Sequence, residues 1–220
     1  MKSLFNKKRL DNLPEFWHNY IAKFSEPEAI DYKNTRFVVL DTETTGFNTY
    51  RDRILCIGAL SIVNNSIEVE SSLEIYLEQQ HFDASTVAIH GILKNEKIEH
   101  VSEQKGLEMF LSFLNNAVII AHHAQFDISM INRALDRNGL PELKNRIIDT
   151  ALLYKKTLLS TPLLPKKEVY SLDEIANKFD ISTKDRHTAL GDAYITAIAF
   201  LKIMNRLQDK GPVSLKSLYN

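Results

Sequence analysis

The chain has 220 residues, a formal net charge of −1 and a single cysteine, Cys56. Its 44% hydrophobic and 25% charged residues are ordinary for a globular protein that buries a core. The near-neutral charge excludes a uniformly basic surface, so nucleic-acid binding would have to depend on local patches or metal ions. One cysteine excludes an internal disulfide, and no segment resembles a secretory signal or membrane span. We therefore expect a cytoplasmic protein.

The first 33 residues differ in pattern from the rest of the chain. Apolar side chains recur at helical spacing after Pro14, which predicts one amphipathic helix and then a linker. The apolar face of this helix needs a partner: packing on the main domain is favoured, and docking to another protein is the alternative. The apolar positions are Leu13, Phe16, Trp17, Tyr20, Ile21 and Phe24.

The main domain begins with apolar runs typical of strands. The Asn64-Asn65 pair predicts a hairpin turn between two of them, so the first strand leads into an antiparallel meander. We predict a helical extension over 1–33, an α/β domain over 34–210 and a short tail over 211–220. Strands are predicted at 36–42, 53–63, 66–77, 118–121 and 146–149.

Helical patterns come next in the chain and separate the later strands. Ser171 and Glu174 form the pattern of a capping box at one helix start, and Asn138-Gly139 is a typical helix end. Because strands come first and then alternate with helices, we predict an α/β sheet of mixed direction. Helices are predicted at 83–89, 103–115, 126–138, 151–156, 171–179 and 188–208.

The first predicted strand ends in two acids, Asp41 and Glu43, within the stretch RFVVLDTETTG. Side chains two residues apart in a strand share a face, so these carboxylates lie close together and repel. A shared proton, a basic side chain or a divalent cation must neutralise them. DTETTG contains no Lys or Arg, and hard oxygen ligands favour Mg²⁺ or Mn²⁺. A plain acidic turn is the alternative.

Three further residues at element ends strengthen the metal hypothesis. Asp127 occupies the first turn of a predicted helix after a buried strand, where capping is the alternative explanation. His187 and Asp192 would point about 140° apart on one continuous helix. They converge only if His187 lies in the loop before the helix that contains Asp192.

Four motifs together resemble the DEDDh 3′–5′ exonucleases, the family of the bacterial DNA polymerase III epsilon proofreading subunit. They are DTETTG, HGI at 90–92, HHAQFD at 122–127 and the histidine and aspartate at 187 and 192. The resemblance spans about residues 36–205 and matches in order and spacing. It implies an RNase H-like fold, a five-stranded mixed sheet with helices on both sides. The histidine before the last aspartate indicates the histidine branch of the family.

The resemblance also implies roles for individual residues. Asp41, Glu43, Asp127 and Asp192 would hold two Mg²⁺ or Mn²⁺ ions, with Asp41 bridging both. His187 would be the general base and complete the catalytic five, since histidine takes up protons near neutral pH. A loop position would let it close over bound substrate.

Substrate contacts implied by the resemblance begin directly after the first acids. The turn Thr44-Thr45-Gly46 would meet the terminal nucleotide, because glycine permits close approach of the backbone. Phe47 and Phe126 would stack on bases, with core packing the alternative for Phe126.

Histidines and an aspartate complete the implied surroundings of the site. His90 would contact the terminal nucleotide or phosphate, or else be structural. His123 stands where family members often have Asn, so nucleotide preference or pH profile would differ. Asp149 would support the ligands or cap a helix. Several basic residues are each expected on the solvated surface, with a local track for a phosphate backbone as the alternative for the group: Lys155, Lys156, Lys166, Lys167, Lys178, Lys184 and Arg186.

The expected function is a metal-dependent 3′–5′ exonuclease that acts on single-stranded or frayed 3′ ends, with DNA favoured, in proofreading or repair. RNA 3′-end trimming is one alternative. A non-catalytic nucleic-acid-binding or polymerase-accessory module is another, which the filled set of five catalytic positions disfavours. A chain of 220 residues leaves no room for a polymerase, so proofreading would need a polymerase subunit in trans.

Overall fold

A computed structural model describes residues 12–25, 32–79, 98–159 and 167–219. Helices cover both faces of a six-stranded sheet, and each face has its own hydrophobic core. The elements in chain order are α1 (Glu15–Ala22), a 3₁₀ turn (Lys23–Ser25), β1 (Phe37–Thr44), β2 (Ile54–Val63), β3 (Ser66–Leu77), β4 (His100–Val101), α2 (Glu103–Leu114), β5 (Val118–Ala121), α3 (Gln125–Arg137), β6 (Ile147–Asp149), α4 (Thr150–Thr157), α5 (Leu172–Phe179), α6 (Ala189–Gln208) and α7 (Leu215–Leu218).

The sheet has the strand order β4-β3-β2-β1-β5-β6. β2 runs antiparallel to both β1 and β3, whereas β5 is parallel to β1 and β6 to β5. The mixed sheet between helical layers is therefore confirmed. The expected number of five strands is one too few. β4 is only two residues long and pairs with Tyr76 and Leu77 at the end of β3, so it leaves no alternating pattern in the sequence.

The alternation of side chains along β1 divides the molecule into two layers. Phe37 and Val39 join the core beneath α4, α5, α6 and α7, whereas Val38 and Leu40 join the core beneath α1, α2 and α3. Continued through the strand, this alternation directs Asp41 and Glu43 toward the α6 side. The apolar part of β1 therefore decides which layer its two acids face.

Several local predictions are confirmed by the backbone. Asn64 and Asn65 adopt positive φ angles of 51° and 60°, as a tight hairpin between β2 and β3 requires. Ser171 and Glu174 form the expected reciprocal capping box of α5. The helix predicted at 83–89 lies outside the described residues. None of the helices in the described ranges is long and apolar enough to cross a bilayer.

The N-terminal helix α1 packs on the domain, as favoured from the sequence. Trp17 and Tyr20 are each only 2% exposed, and the hydroxyl of Tyr20 donates to Asn145 Oδ1 at 2.6 Å. Because these two aromatic side chains are buried within the chain, they are not available as docking residues for another protein.

The C-terminal segment also joins the main body. Leu215 and Leu218 of α7 are buried in the core that contains α6. The predicted boundaries at 34 and 210 remain a prediction, and both flanking segments contribute buried side chains to the same structure.

Candidate active site

The carboxyl end of β1 and the first turn of α6 together form an acidic cluster. Asp41 lies opposite Gly58 on β2, and a Cβ atom at Gly58 would stand 2.2 Å from the backbone carbon of Ala189. The missing side chain thus allows the start of α6 to rest directly on β2. This close approach brings Asp192, in the first turn of α6, to the side of β1 that carries Asp41 and Glu43.

The predicted break between His187 and Asp192 is present. α6 begins at Ala189, and Thr188 caps it by accepting a hydrogen bond from the Gly191 amide at 3.1 Å. His187 precedes the cap with a φ of 68°. Its amide donates to Oδ2 of Asp192 at 3.3 Å, so the loop folds back over the helix start. The exposed imidazole of His187 has the loop position that convergence with Asp192 requires.

Asp41, Glu43 and Asp192 offer oxygen atoms that all lie within 4.8 Å of one another. Oδ1 of Asp192 is buried and has no hydrogen-bond partner among the described residues. A buried carboxylate oxygen left unpaired costs free energy, unless another group such as a cation binds it. Three hard oxygen donors around one point fit Mg²⁺ or Mn²⁺.

Mutual repulsion and burial act on the protonation of these acids. Burial raises the pKa of Asp41 well above its ordinary value, and the charges of Asp127, Asp192 and Glu43 add to the effect. Burial, followed by the charge of Asp192, raises the pKa of Glu43 to about 7. The raised pKa values of Asp41 and Glu43 oppose ionisation of these two carboxyl groups, and a bound divalent cation would favour it.

Asp127 approaches the cluster from the opposite layer. Its Oδ1 accepts hydrogen bonds from the amide and the hydroxyl of Thr42, at 3.0 and 2.6 Å, which attach the start of α3 to β1. Burial raises the pKa of Asp127 to about 7, and the bonds from Thr42 act in the opposite direction. Asp127 is outside the group within 4.8 Å, yet its charge is the largest electrostatic influence on Asp41.

Arg186 enters the site from the loop before α6, an arrangement that sequence reasoning did not predict. Its guanidinium donates to Oδ2 of Asp192 at 2.5 Å and to both oxygens of Asp173 on α5, at 2.6 and 3.1 Å. Arg186 was expected only as one of several basic residues near a phosphate backbone. Its position next to His187 was the available signal, but nothing in the local sequence indicated Asp173.

Two other basic residues of that group bind partners other than the acids of the cluster. Lys156 donates to the carbonyl of Ser217, and Lys167 pairs with Glu174 at 2.6 Å. Lys166 lies outside the described residues. The role of the group as a phosphate track remains a prediction without support from these contacts.

The turn after the acids is held by its own polar side chains. The hydroxyl of Thr44 donates to the carbonyl of Gly46 at 2.8 Å, and that of Thr45 donates to Asp52 Oδ1 at 3.1 Å. A Cβ atom at Gly46 would stand 2.6 Å from Asp52 Oδ2. Gly46 therefore makes room for Asp52 as well as for any ligand.

Asp149 has one of the two roles expected of it, that of a helix cap. It caps α4 through the Ala151 amide at 2.8 Å and accepts hydrogen bonds from the amides of His123 and Ala124, at 3.3 and 3.0 Å. It thereby joins the start of α4 to the turn before α3. His123 is exposed, with a positive φ of 57°, and His90 lies outside the described residues.

Phe47 and Phe126 form a pair at the rim of the site, with ring centroids 5.9 Å apart. Phe126 is half-buried against the core and Phe47 is 85% exposed. Core packing thus accounts for part of Phe126 only, and nothing within the described chain covers most of Phe47.

A family model described as an exonuclease, RNase T, matches residues 38–200 and therefore most of the chain. The match contains all five predicted catalytic positions.

Two curated relatives carry names from DNA replication. A DNA polymerase III PolC-type protein of Thermotoga petrophila is 31% identical over 86% of this chain, which corresponds to 13% of that protein. A DNA polymerase III subunit epsilon-like protein of Rhodobacter capsulatus is 33% identical over 80% of this chain and 24% of its own length. The chain thus spans a quarter or less of these relatives.

Solved structures share the fold. E. coli Exonuclease I in complex with a dT13 oligonucleotide has a TM-score of 0.67 and 17% identity, over 80% of this chain and 42% of that chain. Exonuclease X in complex with 5′ overhanging duplex DNA has a TM-score of 0.57 and 22% identity, over 77% and 91%. With the family model, they confirm the resemblance to DEDDh exonucleases and the RNase H-like fold. The chain therefore belongs to the RNase T exonuclease family.

Proposed function

We propose that this protein is a metal-dependent 3′–5′ exonuclease that removes nucleotides from the 3′ ends of single-stranded or frayed DNA. The acidic cluster carries the proposal. Asp41, Glu43 and Asp192 converge within 4.8 Å, and no group in the described part of the chain hydrogen-bonds to the buried Oδ1 of Asp192. This arrangement is unfavourable without a cation, which is the physical property expected of a metal site.

Asp41, Glu43, Asp127 and Asp192 would hold the metal, as two Mg²⁺ or Mn²⁺ ions. When bound, such ions lower the pKa of a coordinated water and stabilise charge on the attacking and leaving oxygens. The chain holds these donors in place. β1 carries Asp41 and Glu43. Thr42 hydrogen-bonds to Asp127, and Arg186 hydrogen-bonds to Oδ2 of Asp192.

His187 would accept the proton of the attacking water. Its backbone is tied to Asp192 Oδ2 while its imidazole remains exposed, so the ring is free to reach a bound phosphodiester. Neutral imidazole accepts protons near physiological pH, which suits a general base. Because His187 lies in a loop, small backbone movements can bring it over the substrate.

The preference for DNA and a role in proofreading or repair rest on the relatives. Two of them are named as DNA polymerase III proteins, and two structural neighbours hold DNA. By extension, a polymerase subunit would be a partner in trans. The buried, unpaired Cys56 agrees with a reducing cytoplasm as the location.

The test is a comparison of labelled substrates. Single-stranded DNA labelled at its 5′ end should yield a ladder that shortens from the 3′ end with Mg²⁺ or Mn²⁺ and should stay intact with EDTA. Mismatched duplex should be degraded faster than matched duplex. An Asp41→Asn variant should be inactive, with an unchanged circular dichroism spectrum as the control for folding.

Each alternative has its own outcome. Faster degradation of RNA than of DNA would assign RNA end trimming instead. Binding of DNA without any nucleolysis, with either metal and on every substrate, would contradict the enzymatic proposal and favour a binding module.

A further inference from the structure

The loop after the metal acids, residues 46–53, presents two aromatic rings to solvent. Phe47 is 85% and Tyr50 is 72% exposed. The loop has internal support, since Oδ1 of Asn48 accepts the Tyr50 amide at 3.1 Å and Asp52 Oδ2 accepts the Asn48 amide at 2.7 Å. The exposed rings are therefore displayed by a loop with a defined hydrogen-bonded shape.

Each exposed ring has a partner on α3. Phe47 lies 5.9 Å from Phe126, and the guanidinium carbon of Arg133 stands 4.1 Å from the ring centroid of Tyr50. Phe126 and Arg133 are seven residues apart, so they share a face of α3 and are about 10 Å apart along its axis. Phe126 directly precedes Asp127. The two pairs therefore form a row that begins at the metal site and leads away from it.

The chemistry of this row fits an unpaired nucleic-acid strand. Exposed aromatic rings beside arginines are the usual means of holding single strands, because every base has a face to stack and every nucleotide a phosphate. The nearest described carboxylate to Arg133 is Asp136 at 4.0 Å, in an exposed pair that neutralises little of the charge. A protein partner would also cover exposed rings, but the continuity with the metal site favours the strand.

We propose that Tyr50 and Arg133 form a subsite for an upstream nucleotide of the bound strand, with the base on Tyr50 and a phosphate on Arg133. This inference rests on the proposed function. A distance of about 10 Å along α3 corresponds to about three nucleotides of stacked strand. Octathymidylate should therefore reach the subsite, whereas dithymidylate should not.

The experiment measures binding without turnover, in a Glu43→Gln background with Mg²⁺, by fluorescence anisotropy. Tyr50→Ala should weaken octathymidylate binding about ten- to hundred-fold and leave dithymidylate binding unchanged. Tyr50→Phe should stay within about two-fold, because it keeps the ring. Arg133→Met should also weaken octathymidylate binding and reduce the slope of log affinity against log salt by about 1.

The matched control is Arg146→Met. The guanidinium carbon of Arg146 makes a similar contact, 4.9 Å from the ring centroid of Tyr219. Arg146 directly precedes β6, so it lies at the amino ends of the parallel strands, whereas the acids lie at the carboxyl end of β1. It should leave binding of both oligonucleotides unchanged. Octathymidylate binding that is equally tight with and without the Tyr50 ring would overturn the subsite, and a polymerase-derived protein ligand would then be the remaining occupant.

Failure of the subsite and failure of the proposed function give different results. Absence of nucleolysis by the unmodified protein removes the exonuclease proposal, while the length-dependent loss of binding in Tyr50→Ala can still be observed. Normal nucleolysis with no effect of Tyr50→Ala on binding removes the subsite alone.

Discussion

Arg186 donates from Nη1 to Oδ2 of Asp192 at 2.5 Å, so a guanidinium lies against one of the proposed metal ligands. The same guanidinium donates hydrogen bonds to both carboxylate oxygens of Asp173 on α5. Arg186 therefore links α5 to the start of α6. Because it directly precedes His187, these contacts also hold the loop that carries His187. Its charge also lowers the pKa of Asp41 and Glu43, against the stronger effect of burial.

Replacing Arg186 should separate metal binding from turnover. In Arg186→Met the acids lose a neighbouring cation, so the affinity for Mn²⁺ should be equal or higher, as measured by titration calorimetry. The loop that carries His187 loses its anchor, and misplacement of a catalytic group lowers kcat by about ten- to hundred-fold.

Arg186→Lys is the matched variant, since it keeps the charge but not the fork that holds Asp173 and Asp192 together. It should restore the Mn²⁺ affinity of the unmodified protein and leave most of the kcat defect. Loss of Mn²⁺ binding together with kcat in Arg186→Met would show instead that the arginine maintains the ligand set itself.

The stability of the metal-free protein should fall as the pH rises. The pKa of Glu43 and that of Asp127 are each raised to about 7, from ordinary values near 4.5 and 3.8. The folded state thus binds more protons than the unfolded state between about pH 4 and 7, and its stability decreases through that window. The free energy of unfolding in EDTA should be about 2 kcal/mol or more lower at about pH 8 than at about pH 5.

Added Mg²⁺ should reverse this trend, because it binds the ionised carboxylates and stabilises the folded state by mass action. Thermal melts with Mg²⁺ and with EDTA measure the difference. Asp192→Asn should lose most of the Mg²⁺ effect, whereas Asp136→Asn, on the exposed surface, should keep it. Equal melting temperatures with and without Mg²⁺ at about pH 8 would contradict the metal site.

His122 should make the folded protein less stable as the pH falls, which is opposite to the effect of Glu43 and Asp127. Burial, followed by the charge of His123, lowers its pKa from 6.5 to about 4. A lowered pKa means that stability is present above about pH 6.5 and is lost as the pH falls toward 4. His122→Asn should remove about 1–3 kcal/mol of that acid-dependent loss, as measured by urea unfolding between about pH 7 and 4.5. Parallel pH curves for both proteins would show that His122 is protonated normally.

Gly58→Ala should damage both stability and metal binding. The added Cβ would meet the backbone of Ala189 and Leu190 at 2.2 Å, so the start of α6 must move away from β2. We expect a loss of about 1–3 kcal/mol in the free energy of unfolding and weaker Mn²⁺ binding, because Asp192 moves with α6. Gly139→Ala is the control: a Cβ there meets no described atom within 4 Å, and its φ of 71° costs about 1 kcal/mol without an effect on Mn²⁺.

Trp17→Ala should destabilise the domain without a change in chemistry. Trp17 is buried in the core formed by α1, α2 and α3, and deletion of a large buried side chain costs about 3–5 kcal/mol. Urea unfolding measures the cost, which should be smaller in Trp17→Phe. The kcat of the folded protein should not change. Unchanged stability in Trp17→Ala would instead indicate that α1 contributes little to the stability of the domain.

Much of this fold was predictable because its signals are local. The Asn64-Asn65 turn, the capping box at Ser171 and the limits of β3 and β5 depend on residues close in the chain. β4 was missed because two residues carry no periodicity, and its pairing depends on the position of β3.

For the site, the sequence alone determined that Asp41 and Glu43 share a face, because side chains alternate along a strand. It also required a break between His187 and Asp192, because a continuous helix would separate them. Tertiary structure alone decided that Arg186 binds Asp173, that Gly58 admits α6, and that Tyr50 lies under Arg133. These contacts join residues far apart in the chain, so they depend on how layers pack and leave no local pattern in the sequence.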